Sequence, residues 1–227
     1  MRVLAIDTAL DACSAAVLDT VAAGITASET LAIGRGHAEA LLPLVARVMD
    51  RAGIEFAELD RIAVTTGPGS YTGLRVGISA ARGIALAAGK PAIGLSTLAG
   101  LAAPLIAVDD STHVVAAIDA RHDHVYLQIF GTGGRTLVAP RIATLRDALR
   151  AAITGPSRVI GSGASLLAKA WPKDTEPPLL VDPRTAPDIS WIARLGAAAA
   201  EGYGPPKPLY LRAPDAQPQD AAHLPRR

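Results

Sequence analysis

The sequence predicts an α/β fold in which mixed sheets are flanked by close-packed helices and one arrangement is used twice, in two lobes. Three observations carry this. Three adjacent strand patterns joined by short turns open the chain antiparallel, and a strand–helix–strand crossover from Arg61 to Leu95 then adds parallel strands. The composition is 50% hydrophobic but only 4% aromatic, so alanine, valine, leucine and isoleucine must fill the interior, which suits helices lying closely on a sheet. The tripeptide Ala-Ile-Asp occurs at Ala5–Asp7 and again at Ala117–Asp119, each time heading a strand pair, as an internal duplication would produce.

Arg2–Thr8 is an apolar run ending in Asp-Thr, Ala12–Asp19 reads as a second strand and Val21–Leu31 as a third. From Gly36 to Ala52 the pattern changes to helical period. Leu41, Leu44, Val45 and Val48 form a stripe that Leu42 and Met49 widen, and Pro43 predicts a kink. Arg61–Thr66 is a strand, Gly67–Ser70 a turn and Thr72–Ala88 a long helix stopped by Gly89-Lys90-Pro91, with Ala92–Leu95 as the next strand. Pro104 and the polar run Asp109–His113 predict a lobe boundary. Beyond it come strands Val114–Asp119, His124–Phe130 and Ser157–Gly161, and helices Thr144–Ala152, Ala164–Ala170 and Asp188–Glu201. The expected organisation is an N-terminal lobe over 1–108, a second lobe over 109–204 and a Pro-rich tail over 205–227. That tail holds six of the 17 prolines and is expected to be extended or disordered.

A net charge of +1 with scattered arginines argues against a nucleic-acid-binding domain, and Arg226-Arg227 reads as a solvated tail. A single cysteine, Cys13, excludes an intramolecular disulfide and a cysteine-rich zinc site. Asp7 interrupts the first apolar run, so no secretory signal is read, and no stretch is long and apolar enough for a membrane span. A cytoplasmic protein is expected.

Two features admit both a chemical and a structural reading. Asp7 and Thr8 end a buried strand, where they could face a ligand or simply hold a turn. The turn Gly67-Pro68-Gly69-Ser70 precedes a helix N-terminus and could attract an anion, yet it has no Walker A lysine, and two glycines are also what a sharp turn needs. The helix after it is nearly bare on one side, at Gly73, Gly77, Ala80, Ala81, Ala87 and Ala88. Interior helical glycine costs about 1 kcal/mol, so close approach of a neighbouring backbone is expected there, either a partner's or the chain's own sheet. His37 has no second histidine at helical spacing. His122 and His124 are read as one face of a solvated strand edge, and no G-x-S-x-G elbow occurs.

Several segments together resemble the TsaB (YeaZ) family: VLAIDTALDACSAAVLD from Val3, GHAEALLPLV from Gly36, TTGPGSYTGLRVGISAARGIA from Thr65, GLSTL from Gly94, AIDARHDHVYLQIF from Ala117 and PLYLR from Pro208. Tyr71 stands where the family usually has phenylalanine. The resemblance implies an actin-like (ASKHA, sugar-kinase/Hsp70-type) fold of two similar lobes with mixed sheets flanked by helices. It also implies a non-catalytic subunit of the bacterial machinery that forms N6-threonylcarbamoyladenosine beside the anticodon of tRNAs reading codons that begin with A. In that machinery TsaD transfers the threonylcarbamoyl group, TsaE joins the assembly, and a separate synthase makes the adenylate. The resemblance puts the TsaD surface, which also serves a homodimer, on the first two helices. Here that is His37, Leu41, Leu44, Val45, Val48, Gly73, Gly77, Ala80 and Ile84. Contact with tRNA is expected to be indirect, and any ATP or ADP to lie at the junction with partners, near Asp7, Thr8, Gly67 and Gly69. A metallopeptidase would need more metal ligands than His37, and a free-standing ATPase would need glycines in the second turn, where Asp119-Ala120-Arg121 stands.

Overall fold

The computed structural model describes residues 1–22, 24–200 and 205–212. The first half of the chain forms β1 (Arg2–Asp7), β2 (Ala12–Asp19), β3 (Gly24–Ala32), α1 (His37–Ala52), β4 (Arg61–Gly67), α2 (Tyr71–Ala88), β5 (Ala92–Ser96) and α3 (Thr97–Val108). The second half repeats that order with β6 (His113–Asp119), β7 (His124–Phe130), β8 (Thr136–Thr144), α4 (Leu145–Ala152), β9 (Ser157–Ile160), α5 (Ala164–Lys169), β10 (Leu180–Asp182) and α6 (Ile189–Ala198). Two five-stranded sheets result, ordered β3-β2-β1-β4-β5 and β10-β9-β6-β7-β8. In each, the first three strands are antiparallel and the last two join parallel to the first. Read from the antiparallel edge the two orders correspond strand for strand, so the repeated Ala-Ile-Asp marks a real duplication.

Local chemistry sets the helix ends. The Ser70 hydroxyl caps α2 by accepting from the Gly73 N–H, and Gly89 closes the helix in the left-handed conformation at φ 66°. Ser96 caps α3 and Thr144 caps α4 in the same way as Ser70. Helix α1 continues through Pro43.

The halves exchange their last helices. One face of the first sheet packs Leu4, Ile6, Val17, Ile62 and Val64 against α1 and α2. Its other face, with Val3, Ala5, Ala16, Leu18 and Ala63, is covered by Ile189, Ile192 and Ala193 of α6, from the other half. The second sheet is covered on one face by its own α4 and α5. Its remaining face, with Val114, Ala116, Ile118, Phe130 and Ile160, lies under Leu98, Leu101 and Ala102 of α3. Pro104 is therefore not at a boundary but inside α3, and α6, expected in the second lobe, belongs to the first sheet. Two buried arginines secure the exchange. Arg61 on β4 donates to the Gly196 and Ala199 carbonyls at the end of α6, at 3.1 and 2.8 Å. Arg158 on β9 donates to the carbonyls of Leu105, at 2.9 Å, and Asp109 at the end of α3. A cation at a helix C-terminus also complements the helix dipole.

The third strand starts at Gly24 rather than Val21, and β8 and β10 were not foreseen. Among the described residues no helix is long and apolar enough to cross a membrane. Of the expected tail, residues 205–212 are described and lie against the fold; the remainder, with Arg226-Arg227, falls outside the described residues.

The close seat of α6 gives a test. A Cβ on Gly196 would overlap the Ala63 Cβ, so Gly196→Val is expected to lower unfolding free energy by about 1–3 kcal/mol in urea titrations.

Candidate functional site

Between the lobes the two hairpin turns face one another across a cleft of about 710 Å³, within the roughly 300–1,000 Å³ of small-molecule pockets. Its walls are Ala9 to Asp11 of the β1–β2 turn, Pro68 to Tyr71 of the β4–α2 turn, Asp119 to His122 of the β6–β7 turn, and Leu209 to Arg212 near the C-terminus.

Of the four residues expected near a ligand, only Gly69 reaches this wall. Asp7 is wholly buried. Its Oδ1 accepts the Thr65 hydroxyl at 2.5 Å and the Ala9 N–H at 3.1 Å, while Oδ2 has no hydrogen-bond partner among the described residues. Burial raises its pKa above the ordinary carboxylate value. The bonds from Thr65 and Ala9, and the charge of His37, pull it back only in part. Thr8 is also buried, and its hydroxyl donates to the Gly73 carbonyl at 2.7 Å, tying the end of β1 to the first turn of α2. In this fold Asp7 and Thr8 tie β1 to its turn and to α2, and neither lines the cleft.

Packing likewise explains the glycines. A Cβ on Gly67, where φ is +118°, would stand 2.9 Å from the Leu209 carbonyl oxygen. On Gly69 it would overlap the Ala9 carbonyl, on Gly73 the Thr8 carbonyl and on Gly77 the Thr8 hydroxyl. At Gly73 and Gly77 the bare side of α2 thus faces the end of the chain's own first strand, while Ala87 of the expected side is exposed. The same correction applies to the expected partner surface. Leu41, Leu44, Val45 and Val48 are buried in the core beneath α1, and Ala80 and Ile84 pack against that core. His37 is buried, with Nε2 3.0 Å from the Leu10 carbonyl oxygen. An apolar stripe covers its own sheet first. Outward, among exposed charged residues such as Glu39, Arg47, Arg51, Arg75 and Arg82, α1 and α2 carry the small and apolar Ala38, Leu42 (58% exposed) and Ala46, with Gly83, Leu86 (85% exposed) and Ala87. A Cβ on Gly83 would meet nothing within 4 Å.

The second lobe's turn is strained. Arg121, His122 and Asp123 all have positive φ, at 61°, 52° and 56°, a conformation costing on the order of 1 kcal/mol for each non-glycine residue. Asp119 holds it by accepting the Arg121 N–H at 2.7 Å, and Ala120 N–H donates to the His124 carbonyl at 2.9 Å. His122 is therefore in the turn, not on a strand face with His124, whose Nδ1 lies 2.6 Å from the His122 carbonyl oxygen. The second lobe does contain a two-glycine turn, Gly161-Ser162-Gly163. It folds beneath β6, where a Cβ on Gly161 would overlap the Ala117 carbonyl and Ser162 Oγ accepts the Asp119 N–H at 3.1 Å. Among the described residues no group of three His, Cys, Asp or Glu could hold a metal ion. Cys13 is free and buried, its thiol pushed up to about 11 chiefly by burial and secondarily by Asp7.

An aromatic cluster at the cleft mouth was not foreseen. The Tyr71 and Tyr210 rings stack with centroids 5.2 Å apart. The Arg75 guanidinium lies 4.0 Å from the Tyr71 ring centre and its Nε donates to the Tyr210 hydroxyl at 3.1 Å. Tyr71 and Tyr210 are far apart in sequence, and nothing in the local pattern joins them.

The buried carboxyl gives a pH test. Because the folded-state pKa of Asp7 is raised, stability from its neutral form is present at low pH and is lost as pH rises from the unfolded value toward the folded one. Asp7→Asn keeps acceptors for Thr65 and Ala9 without the charge. Its melting temperature is expected to exceed the parent's near neutral pH, with the gap closing toward pH ~4. A gap that does not change with pH would contradict the assignment.

The family model "TsaD: tRNA N6-adenosine threonylcarbamoyltransferase" matches residues 24–178. The solved structure of YeaZ from Pseudomonas aeruginosa superposes with a TM-score of 0.77 at 32% identity, covering 92% of this chain and 99% of that one. The tRNA threonylcarbamoyladenosine biosynthesis protein TsaB of Escherichia coli (strain K12) is 40% identical over 126 residues, 56% of this chain and 53% of that protein. Its Haemophilus influenzae counterpart is 37% identical over 126 residues, with 52% of its length matched. The chain thus spans about half the length of these two curated relatives. With a YeaZ structure matched along almost its whole length and the same family's sequence signatures in both halves, the chain belongs to the TsaB (YeaZ) family.

Proposed function

We propose that the chain serves the formation of N6-threonylcarbamoyladenosine in tRNA as a non-catalytic subunit that binds and activates TsaD, with TsaE joining the assembly. The observation that carries this is the contrast between the cleft and the helices beside it. The strand-end Asp7 and Thr8 are buried and bonded inside the fold, off the cleft lining, whereas α1 and α2 carry aliphatic and small residues outward at helical spacing among charged ones. Leu42, Ala46, Gly83 and Leu86 are the contact residues on this reading, replacing the buried stripe, and the same face serves self-association when TsaD is absent. Exposed apolar side chains flanked by small residues are a usual docking surface.

Two amides at the β4–α2 turn are already engaged within the chain. Ser70 N–H donates to the Ala9 carbonyl at 2.7 Å and Gly73 N–H to Ser70 Oγ at 3.3 Å, and the turn has no lysine. ATP or ADP in the assembly therefore belongs at the junction with a partner.

Gly83→Glu tests the surface without disturbing the monomer, since the new side chain enters open space and loss of a helical glycine adds up to about 1 kcal/mol of stability. The expected result is an unchanged or raised melting temperature with loss of TsaD capture in pull-down and of self-association in light scattering. Full capture by the folded variant would overturn the assigned surface. Depleting the protein is expected to lower threonylcarbamoyladenosine in digested tRNA, and normal amounts after depletion would overturn the function.

A further inference from the structure

We propose that Pro206–Arg212 is a clasp that fixes the closure of the interlobe cleft. Its first part is seated on the first lobe. Pro206 lies over Gly94, where a Cβ would come within 3.1 Å of the proline Cβ. Leu209 N–H donates to the Thr66 carbonyl at 2.8 Å, and its own carbonyl sits against the bare Cα of Gly67. Tyr210 then stacks on Tyr71 and accepts from Arg75, both in the first turns of α2. Two residues further on, the Arg212 guanidinium crosses the cleft and donates from Nη1 to the Ala120 carbonyl of the second lobe at 3.2 Å.

The segment is bonded to both lobes, and that makes it a clasp. Anchorage to the first lobe combines a backbone hydrogen bond, a ring stack and two glycine seats. On the second lobe Arg212 bonds the carbonyl of Ala120, directly before the three left-handed residues Arg121–Asp123. A strained turn is ready to change conformation when a restraint is removed. Leu209 to Arg212 also form one wall of the cleft, so anything entering between the lobes meets the clasp, and release of Arg212 frees the β6–β7 turn to move away from α2. The clasp needs no partner protein and does not depend on the surface assigned to TsaD.

Native-state amide exchange on the full chain reads this directly. Ala120 N–H and His124 N–H are both bonded within the β6–β7 turn. In Arg212→Ala their exchange is expected to rise about fivefold, the size of one lost hydrogen bond, with core amides of β1 and β6 unchanged. Tyr210→Ala, which removes the seat rather than the latch, is expected to accelerate the same two amides and also Leu74 N–H, which bonds Ser70 in the first turn of α2. Unchanged exchange at Ala120 and His124 in Arg212→Ala overturns the clasp. So does a uniform rise across β1 and β6, which would mean global destabilisation. Acceleration of Leu74 alone in Tyr210→Ala would show that the segment is seated on α2 without restraining the second lobe.

Discussion

Each sheet in this fold has two apolar faces, and its own half of the chain supplies helices for only one. The exchange of α3 and α6 resolves this, and the rest of the structure depends on it. Without α6 the first sheet would leave Val3, Ala5, Ala16, Leu18 and Ala63 in water; without α3 the second would expose Val114, Ala116, Ile118 and Ile160. At about 1.5–3 kcal/mol per large aliphatic side chain, exposing either face would cost several kcal/mol, a large share of the stability of an ordinary domain. The lobes are repeats in sequence but not independent units. Arg61 and Arg158 express the same constraint in polar form, each held on the receiving sheet and bonded to the terminal carbonyls of the helix that arrives.

This constraint also explains which elements the sequence revealed. Helices with one wet face, such as α1 and α4, show the 3.6-residue period, and Thr144 and Asp188 stand at caps where such residues are favoured. Helix α3 lies between layers and carries no charged residue from Thr97 to Val108, so it has no amphipathic stripe to read. Its Pro104 then looked like a boundary. Strand β8 was hidden for the opposite reason. It is a sheet edge, mostly exposed, with Pro140 within it, and edge strands tolerate proline and polar residues that weaken the pattern. At β10, three residues are too few to show alternation. The strand pairs at Asp7 and Asp119 were legible because both are central and apolar on both faces.

The candidate site was less legible, because a residue type does not say which side of a surface it occupies. Glycines at Gly73 and Gly77 promised close approach, and close approach occurs, but of Thr8 in the same chain. The stripe at Leu41, Leu44, Val45 and Val48 promised a buried interface, and it is buried, under α1 itself. Gly83, by contrast, has no packing reason to be glycine within the monomer. A helical glycine that nothing among the described residues explains is the stronger pointer to what lies outside the chain.

Cleft closure divides between two scales of energy. Leu98, Leu101 and Ala102 of α3, all wholly buried, join the lobes through apolar surface whose removal from water is worth several kcal/mol. The hydrogen bond from Arg212 to the Ala120 carbonyl is worth about 1 kcal/mol. It cannot hold the lobes together, and the exchanged helices leave it no need to. What it can do is choose between neighbouring positions of the rim, where the β6–β7 turn already stores strain at Arg121, His122 and Asp123. A weak bond acting on a strained element shifts a local equilibrium while the core stays fixed. The duplication supplies a rigid hinge region in α3, the turn supplies a movable edge, and the C-terminal segment, outside both repeats, is placed to set how far apart the two edges stand.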